Sequence, residues 1–239
     1  MRSLARTAAV LVAAVLVASL PVLADGGGSG YTGSVEVDVG ILPSFSTSLA
    51  GNLTFNSGEW SFITTANIPI YPSFAASIRE KFLWTGEWLS IGAYADLGVV
   101  PFGFPGLGVI LKATAEPWWM TSDTYLTFGV FALSEHLELG VTFLDAKFDT
   151  AGTSTLVGKA TAGLSIAPTF SGLLTATFTL KAGDFTVESE TWVRLFDFTI
   201  GESITLSVTF APITAKAWVD FNSAGVLTIG IGAAWKFSG

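Results

Sequence analysis

The stretch LTIGIGAAWKF, residues 227–237, decides the fold of this chain. Large apolar side chains stand at its odd positions and end in Trp235 and Phe237, whereas its even positions carry Thr, Gly, Ala and Lys236. Successive side chains of a β-strand point to opposite faces of the sheet, so a period of two predicts a strand with one apolar and one small or polar face. An amphipathic helix would repeat its apolar residues every three or four positions instead.

The same alternation runs from Ser34 to the end of the chain and is cut by short segments rich in Gly, Asn, Asp and Ser. Such segments are typical of hairpin turns. We therefore predict an all-β fold: an antiparallel up-and-down transmembrane β-barrel of about 14 strands (range 12–16) with short connections. The predicted strands are 34–41, 45–55, 59–68, 74–84, 88–100, 106–116, 124–133, 136–147, 153–166, 172–182, 185–196, 202–210, 213–221 and 226–237. Residues 117–123 are predicted to connect two of them.

The composition excludes several classes of protein. Charged residues make up 13% of the 239 residues, about half the share of a globular domain. Cysteine is absent, which excludes a disulfide framework and thiol metal sites. The net charge of −8 argues against nucleic acid as a partner, because phosphate binding needs clustered Lys and Arg.

The first 24 residues have the pattern of a secretory signal peptide. Arg2 and Arg6 precede an apolar run from Ala8 to Leu20, and small residues lead up to Ala24. This arrangement predicts export and cleavage after Ala24. We divide the chain into a signal peptide (1–24), a flexible Gly-rich leader (25–33) and a barrel domain (34–239).

Charged side chains separate the two faces of the predicted strands. By alternation, eight acids and eight bases fall on the face rich in Gly, Thr, Ser and Ala, which we predict to line the lumen. They are Glu36, Asp38, Arg79, Lys81, Asp96, Lys112, Glu116, Glu138, Lys159, Lys181, Glu188, Glu190, Arg194, Lys216, Asp220 and Lys236. A β-sandwich would cover its outer face with long polar side chains, whereas small residues suit the concave side of a barrel. The pattern therefore favours a barrel over a sandwich.

Large aromatic residues gather near the predicted strand ends. The predicted interfacial aromatics are Trp60, Trp84, Trp88, Trp118, Trp119, Trp235 and Phe237. Girdles of such residues at both membrane interfaces are typical of membrane barrels. We expect the acids outside the strand interiors (Glu59, Glu87, Asp123, Glu135, Asp149, Asp184, Asp197 and Glu202) to lie at the rims.

From Ser34 onward the chain resembles the bacterial outer-membrane β-barrel (porin-like) class, in pattern rather than in a family-specific motif. The resemblance implies a place in the outer membrane, the lipid bilayer and the outer-membrane assembly machinery as partners, and transport through a channel. Members of the class usually end in an aromatic residue, whereas Ser238 and Gly239 follow Phe237 here. They also usually carry long outer loops, whereas every connection here is predicted to be short.

Nothing in the sequence indicates catalysis. His136 is the only histidine, and no nucleophile motif or ligand cluster accompanies it, so we expect no enzyme, no metal site and no cofactor. A barrel of about fourteen strands lined by small residues predicts a passive, weakly selective pore for small solutes or ions. Two alternatives stay open: a structural or anchoring barrel with a blocked lumen, and a secreted soluble β-sandwich that binds a hydrophobic ligand. Homo-oligomer formation also stays open.

Overall fold

The computed structural model describes residues 30–128, 131–148, 154–167 and 169–238. Fourteen β-strands make up most of the described chain. They are β1 (Gly30–Leu42), β2 (Ser46–Ser57), β3 (Trp60–Tyr71), β4 (Ala76–Thr85), β5 (Leu89–Val100), β6 (Phe102–Ala115), β7 (Trp118–Thr127), β8 (Ala132–Lys147), β9 (Ser154–Ala167), β10 (Ser171–Ala182), β11 (Phe185–Arg194), β12 (Ile200–Phe210), β13 (Ile213–Asn222) and β14 (Leu227–Ser238). The predicted signal peptide and residues 25–29 of the predicted leader lie outside the described residues.

The sheet closes on itself. Each strand pairs antiparallel with its neighbours in sequence, and β14 pairs with β1 from Thr32↔Ser238 onward, so the topology is up-and-down. Closure gives every strand two hydrogen-bonding partners and leaves no sheet edge. The prediction of a fourteen-strand antiparallel barrel is confirmed, and the alternative of a β-sandwich is wrong. No helix among the described residues is long and apolar enough to cross a membrane.

Short connections join the strands at two rims. We call the rim where β1 begins and β14 ends the terminal end, and the opposite rim the far end. At the terminal end Gly58 and Gly183 adopt positive φ angles of 59° and 60° in two-residue turns, which only glycine adopts readily. The longest fully described connection, residues 195–199 at the far end, has five residues.

The register assigns each strand residue to one of two faces. We call the face that contains Asp38, Asp96 and Lys216 the polar face, and the face that contains Val37, Val109 and Ile231 the apolar face. On the apolar face Val109 and Ile231 are 49% and 50% exposed. On the polar face exposure varies widely: the side chains of Asp96 and Lys216 are 19% and 27% exposed, whereas those of Arg79 and Arg194 are 47% and 58% exposed.

Four predicted strand starts are wrong. Strand β7 occupies Trp118–Thr127, including 118–123 of the region predicted to be a connection, and β8 begins at Ala132. The polar run Thr121 to Thr124 hides the alternation because Ser122 and Thr124 stand on the apolar face. Strand β1 begins at Gly30, within the predicted leader, and β6 begins at Phe102 rather than at 106.

Candidate functional site

The polar face collects the charged side chains that the sequence predicted to lie together. Following the pairs from strand to strand places all of the predicted set on this face except Glu116, which lies in the connection between β6 and β7. Asp123 belongs to it, and so do Asp145 and Lys147, because a bulge between Thr142 and Leu144 shifts the end of β8 by one residue. The face therefore carries nine acids and nine bases, including every Lys and Arg of the described chain.

Four aromatic rings on the polar face lie against glycines. Each aromatic residue pairs directly with a glycine of the next strand: Tyr94 with Gly108, Trp119 with Gly140, Trp192 with Gly201 and Trp218 with Gly230. A Cβ atom at any of these glycines would overlap the ring of its partner. The absence of a side chain therefore lets each ring lie along the barrel wall. The sequence predicted a polar face rich in glycine, but not that a ring lies against each of these four.

Each of these four rings also has a basic side chain over it. Arg79 Cζ lies 4.3 Å from the Tyr94 ring centroid, and Arg194 Cζ lies 5.2 Å from that of Trp192. Lys112 Nζ and Lys216 Nζ lie 5.6 Å and 5.1 Å from the centroids of Trp119 and Trp218. A cation this close to an aromatic face is attracted by the ring quadrupole. Glycine, ring and cation thus form a unit that recurs at four places on the face.

The most connected cluster of the polar face spans β4 to β7. Arg79 binds Asp96 through two bonds, Nε–Oδ1 at 2.6 Å and Nη2–Oδ2 at 2.9 Å. The Tyr94 hydroxyl donates to Asp123 Oδ1 at 2.7 Å, and the Tyr94 and Tyr125 rings stack with centroids 5.7 Å apart. Tyr94 is consequently buried, at 5% exposure. These contacts hold the charged and aromatic groups against the wall.

A second cluster joins β13 to β1 across β14. Lys216 Nζ forms ion pairs with Glu36 and with Asp38, the latter at 3.0 Å. The contact passes over Gly232, where a Cβ would lie 2.7 Å from Lys216 Cε. On the same face the Ser203 hydroxyl donates to Asp220 at 2.6 Å. Several of the predicted acids and bases are therefore neutralised locally.

Three carboxylates stand on the apolar face and are held by hydroxyl groups. Thr64 donates to Glu80 at 2.8 Å. Ser122 donates to Glu135 at 2.7 Å and Thr124 donates to the same carboxylate. Ser189 and Thr191 bind Glu202 in the same way, each at 2.5 Å. The expectation of a place at the rims is wrong for Asp123, which stands in the middle of β7, whereas Glu135 and Glu202 lie close to the far end of β8 and β12.

Asp197 lies in the far-end connection, outside the strands. Its carboxylate accepts a hydrogen bond from the Thr199 backbone N–H at 3.0 Å and lies 3.9 Å from Arg194. The hydrogen bond from Thr199, assisted by the charge of Arg194, lowers the pKa of Asp197.

All the predicted interfacial aromatics lie at the terminal end. Trp88 is in a connection, Trp119 is on the polar face, and the others occupy the apolar face. Trp60 stacks on Phe82 with centroids 4.7 Å apart, and Trp84 Nε1 donates to Glu59 at 2.8 Å. These seven residues thus contribute to one end, and Tyr71 stands exposed at the other, where β3 ends. The other exposed aromatic residues of the far end are phenylalanines, among them Phe45, Phe102, Phe104, Phe131, Phe170, Phe196 and Phe198.

His136 lies in a cavity at the far end of the polar face. The cavity has a volume of about 390 Å³ and is also lined by Ser165, Arg194 and Asp197. His136 Nδ1 lies 3.0 Å from Ser165 Oγ, its cross-strand partner. Asp123 is the cross-strand partner of His136 on its other side, and its carboxylate accepts a hydrogen bond from the Tyr94 hydroxyl. The arrangement is a hydrogen-bonded pair between neighbouring strands.

Comparison with known proteins bears on the fold. No family model matches the chain, and no curated protein matches it. The Omp33 outer membrane protein of Acinetobacter baumannii matches in structure with a TM-score of 0.55 at 11% identity, over 87% of this chain and 97% of that chain. A mutant of the Rhodopseudomonas blastica porin matches with a TM-score of 0.53 at 8% identity, over 88% of this chain and 99% of that chain.

The chain has the fold of a bacterial outer-membrane β-barrel. At these identities the likeness concerns the fold, and the resemblance of the sequence to this class is confirmed at that level.

Proposed function

We propose that this protein is a passive, weakly selective pore of a bacterial outer membrane, with its polar face lining the lumen and its apolar face against lipid. The observation that carries the proposal is the placement of the four polar-face rings over their paired glycines. Rings that lie along the wall leave the centre of the barrel free. Short connections support the same conclusion, because the fully described ones are too short to fold across the lumen.

The distribution of charge supports a lipid-facing apolar face. A Lys or Arg on the lipid side of a barrel costs about 2–4 kcal/mol at the bilayer midplane. Every Lys and Arg of the described chain stands on the opposite face, and the carboxylates of Glu80, Glu135 and Glu202 are held by hydroxyl groups. Large exposed side chains such as Val109 and Ile231 would lie in hydrocarbon.

The balance of charge on the polar face supports weak selectivity. Nine acids and nine bases share it, and ion pairs such as Arg79–Asp96 and Lys216–Asp38 neutralise part of them. Eight strands give a barrel filled by its own side chains, whereas 16 to 18 leave an aqueous channel. Fourteen strands with small inward residues fit a narrow channel for small solutes or ions.

The same proposal includes the route to the membrane. Cleavage after Ala24 would release a chain whose last strand offers Trp235 and Phe237 to the outer-membrane assembly machinery. We propose no catalytic step. A homo-oligomer would be compatible with the apolar wall.

The test is single-channel recording in a planar bilayer. Thr177 of β10 stands on the polar face between Lys159 and Glu190, without a glycine partner, so the ring of Thr177→Trp would project into the lumen and lower the conductance. Leu174→Trp, on the apolar face of the same strand, is the control and should leave the conductance unchanged. Heat-dependent migration on a denaturing gel reports folding of each variant.

Two results would contradict the proposal. A folded, heat-modifiable wild-type barrel that carries no current would favour the anchoring barrel with a blocked lumen. Equal conductance of Thr177→Trp and wild type would show that the polar face does not line the conducting path.

A further inference from the structure

The lysines are unevenly placed along the barrel. All seven lysines of the chain lie within five residues of the terminal end of their strands, on the polar face: Lys81, Lys112, Lys147, Lys159, Lys181, Lys216 and Lys236. By the same measure four polar-face acids, Asp123, Asp145, Glu188 and Glu190, are as close to that end. Seven bases against four acids give this part of the polar face an excess of positive charge.

The polar-face acids have the opposite distribution. Seven of the nine stand at the middle of their strands or beyond it, towards the far end: Glu36, Asp38, Asp96, Asp123, Glu138, Glu190 and Asp220. The bases in this half are Arg79 and Arg194. The overall balance of charge on the polar face thus conceals two halves of opposite sign.

Five of the lysines remain available to solutes. Lys112, Lys147, Lys159, Lys181 and Lys236 are exposed, and no ion pair engages them within the described part of the chain. We call these five residues the lysine belt. Lys216 differs, because Glu36 and Asp38 neutralise it.

The acids of the terminal connections lie outside this arrangement. Glu59, Glu87, Glu116 and Asp184 occupy the turns of the terminal end, and Glu59 accepts the indole N–H of Trp84 on the apolar face. In about 0.1 M salt the Debye length is about 10 Å, so charges at a rim in bulk water are strongly screened. Charges inside a low-dielectric wall act on ions in the lumen more directly.

We propose that the lumen is axially polarised, with the lysine belt as an anion-binding mouth at the terminal end and a carboxylate-rich far half. The inference rests on the proposed pore. Anions enter readily through the positive half and cations through the negative half. When the far side is held positive, anions are driven in through the positive terminal end and cations through the negative far end. Both kinds of ion then accumulate in the lumen, so the current is larger than at the opposite voltage. Multivalent anions bind at the belt and hinder conduction from the terminal side.

The experiment measures the current–voltage curve of single pores of known orientation. The chain has no cysteine, so Ala224→Cys in a far-end turn, modified by a membrane-impermeant thiol reagent, reports which bath the far end faces. In about 0.1 M KCl we expect the larger current with the far side positive, and a symmetric curve at about 1 M, where the Debye length falls to about 3 Å.

Two variants separate the belt from the rim. Lys181→Gln with Lys236→Gln removes two belt charges near the mouth, so the current ratio should fall towards one and block by pyrophosphate from the terminal bath should weaken. Glu87→Gln changes a terminal-end turn and should leave the current ratio and the block unchanged.

The outcomes distinguish the two proposals. A conducting pore with a symmetric curve in about 0.1 M salt, or with the opposite asymmetry, overturns the axial polarity and leaves the pore standing. An unchanged current ratio in the double lysine variant also overturns it. A folded barrel without conductance overturns both.

Discussion

The terminal end and the far end of the barrel are built from different residues. The terminal end holds all seven lysines and six of the eight tryptophans, with tight turns such as those at Gly58 and Gly183. The far end holds exposed phenylalanines, of which Phe102 is 94% exposed, and Phe131 and Phe198 adopt positive φ in its turns. Tryptophan offers an N–H group to a polar interface and phenylalanine offers none. The two ends of the barrel therefore offer different side chains to the regions around them: lysine and tryptophan at the terminal end, phenylalanine at the far end.

The largest expected effect tests whether both ends lie outside hydrocarbon. Val109→Arg, in the middle of β6 on the apolar face, should destabilise the barrel by about 2–4 kcal/mol, whereas Phe185→Arg and Leu133→Arg near the terminal and far ends should cost about 0–1 kcal/mol. Equilibrium unfolding in denaturant from lipid vesicles measures the three values. A cost at Leu133 equal to that at Val109 would place the phenylalanine-rich end inside the hydrocarbon and break the symmetry of the two interfaces.

The next effect compares ring packing at the two ends. Gly140→Ala lies under Trp119 near the terminal end, and Gly201→Ala lies under Trp192 near the far end. Each added methyl group overlaps a ring, and overpacking of this kind costs about 1–3 kcal/mol. Because the displaced ring would tilt into the lumen, the single-channel conductance should also fall. Gly103→Ala, where a Cβ has no neighbour within 4 Å, is the matched control for both measurements.

An effect confined to stability, without a change in conductance, concerns the hydroxyl groups that hold Glu135 and Glu202. Ser122→Ala and Ser189→Ala each remove one hydrogen bond to a carboxylate and should each cost about 1.5–3 kcal/mol at most, less where water replaces the hydroxyl. The two costs should agree because the geometry is the same. Thermal unfolding followed by heat-dependent gel migration compares them. Values that differ by more than about 1 kcal/mol would show that the two hairpins are in different surroundings.

The smallest effect is expected at the surface pair of the far end. Asp197→Asn removes an exposed partner of Arg194, and exposed pairs contribute about 0–1 kcal/mol. We expect unchanged stability in the same unfolding assay. A large loss would mean that the Asp197 turn contributes more to the far end than its exposure suggests.

The sequence predicted the architecture better than the details of the site. Alternation in stretches such as LTIGIGAAWKF was enough for the strand number and for the two faces, because a closed sheet with an apolar wall constrains every second residue. Alternation failed where hydrogen bonds allow polar residues on the apolar face. Ser122 and Thr124 stand there because their hydroxyl groups donate hydrogen bonds to Glu135.

Side-chain partners could not be predicted from alternation. The pairing of Trp218 with Gly230 depends on the register of two strands, and alternation fixes the face of a residue but not the residue opposite to it. The bulge near Thr142 moved Asp145 and Lys147 onto the polar face for the same reason. The topology decides at which rim each strand begins and ends. Because of it, all the predicted interfacial tryptophans lie at one end of the barrel.

The two hydroxyl-bound glutamates stand in hairpins that share one local design. Each glutamate follows its serine by 13 residues and its threonine by 11, and in both hairpins a phenylalanine with positive φ, Phe131 or Phe198, stands four residues before the glutamate. One hairpin design is therefore present twice, in β7–β8 and in β11–β12. The same four positions thus solve the same problem twice, since in each hairpin they let a carboxylate stand on an apolar wall with two hydroxyl groups donating to it.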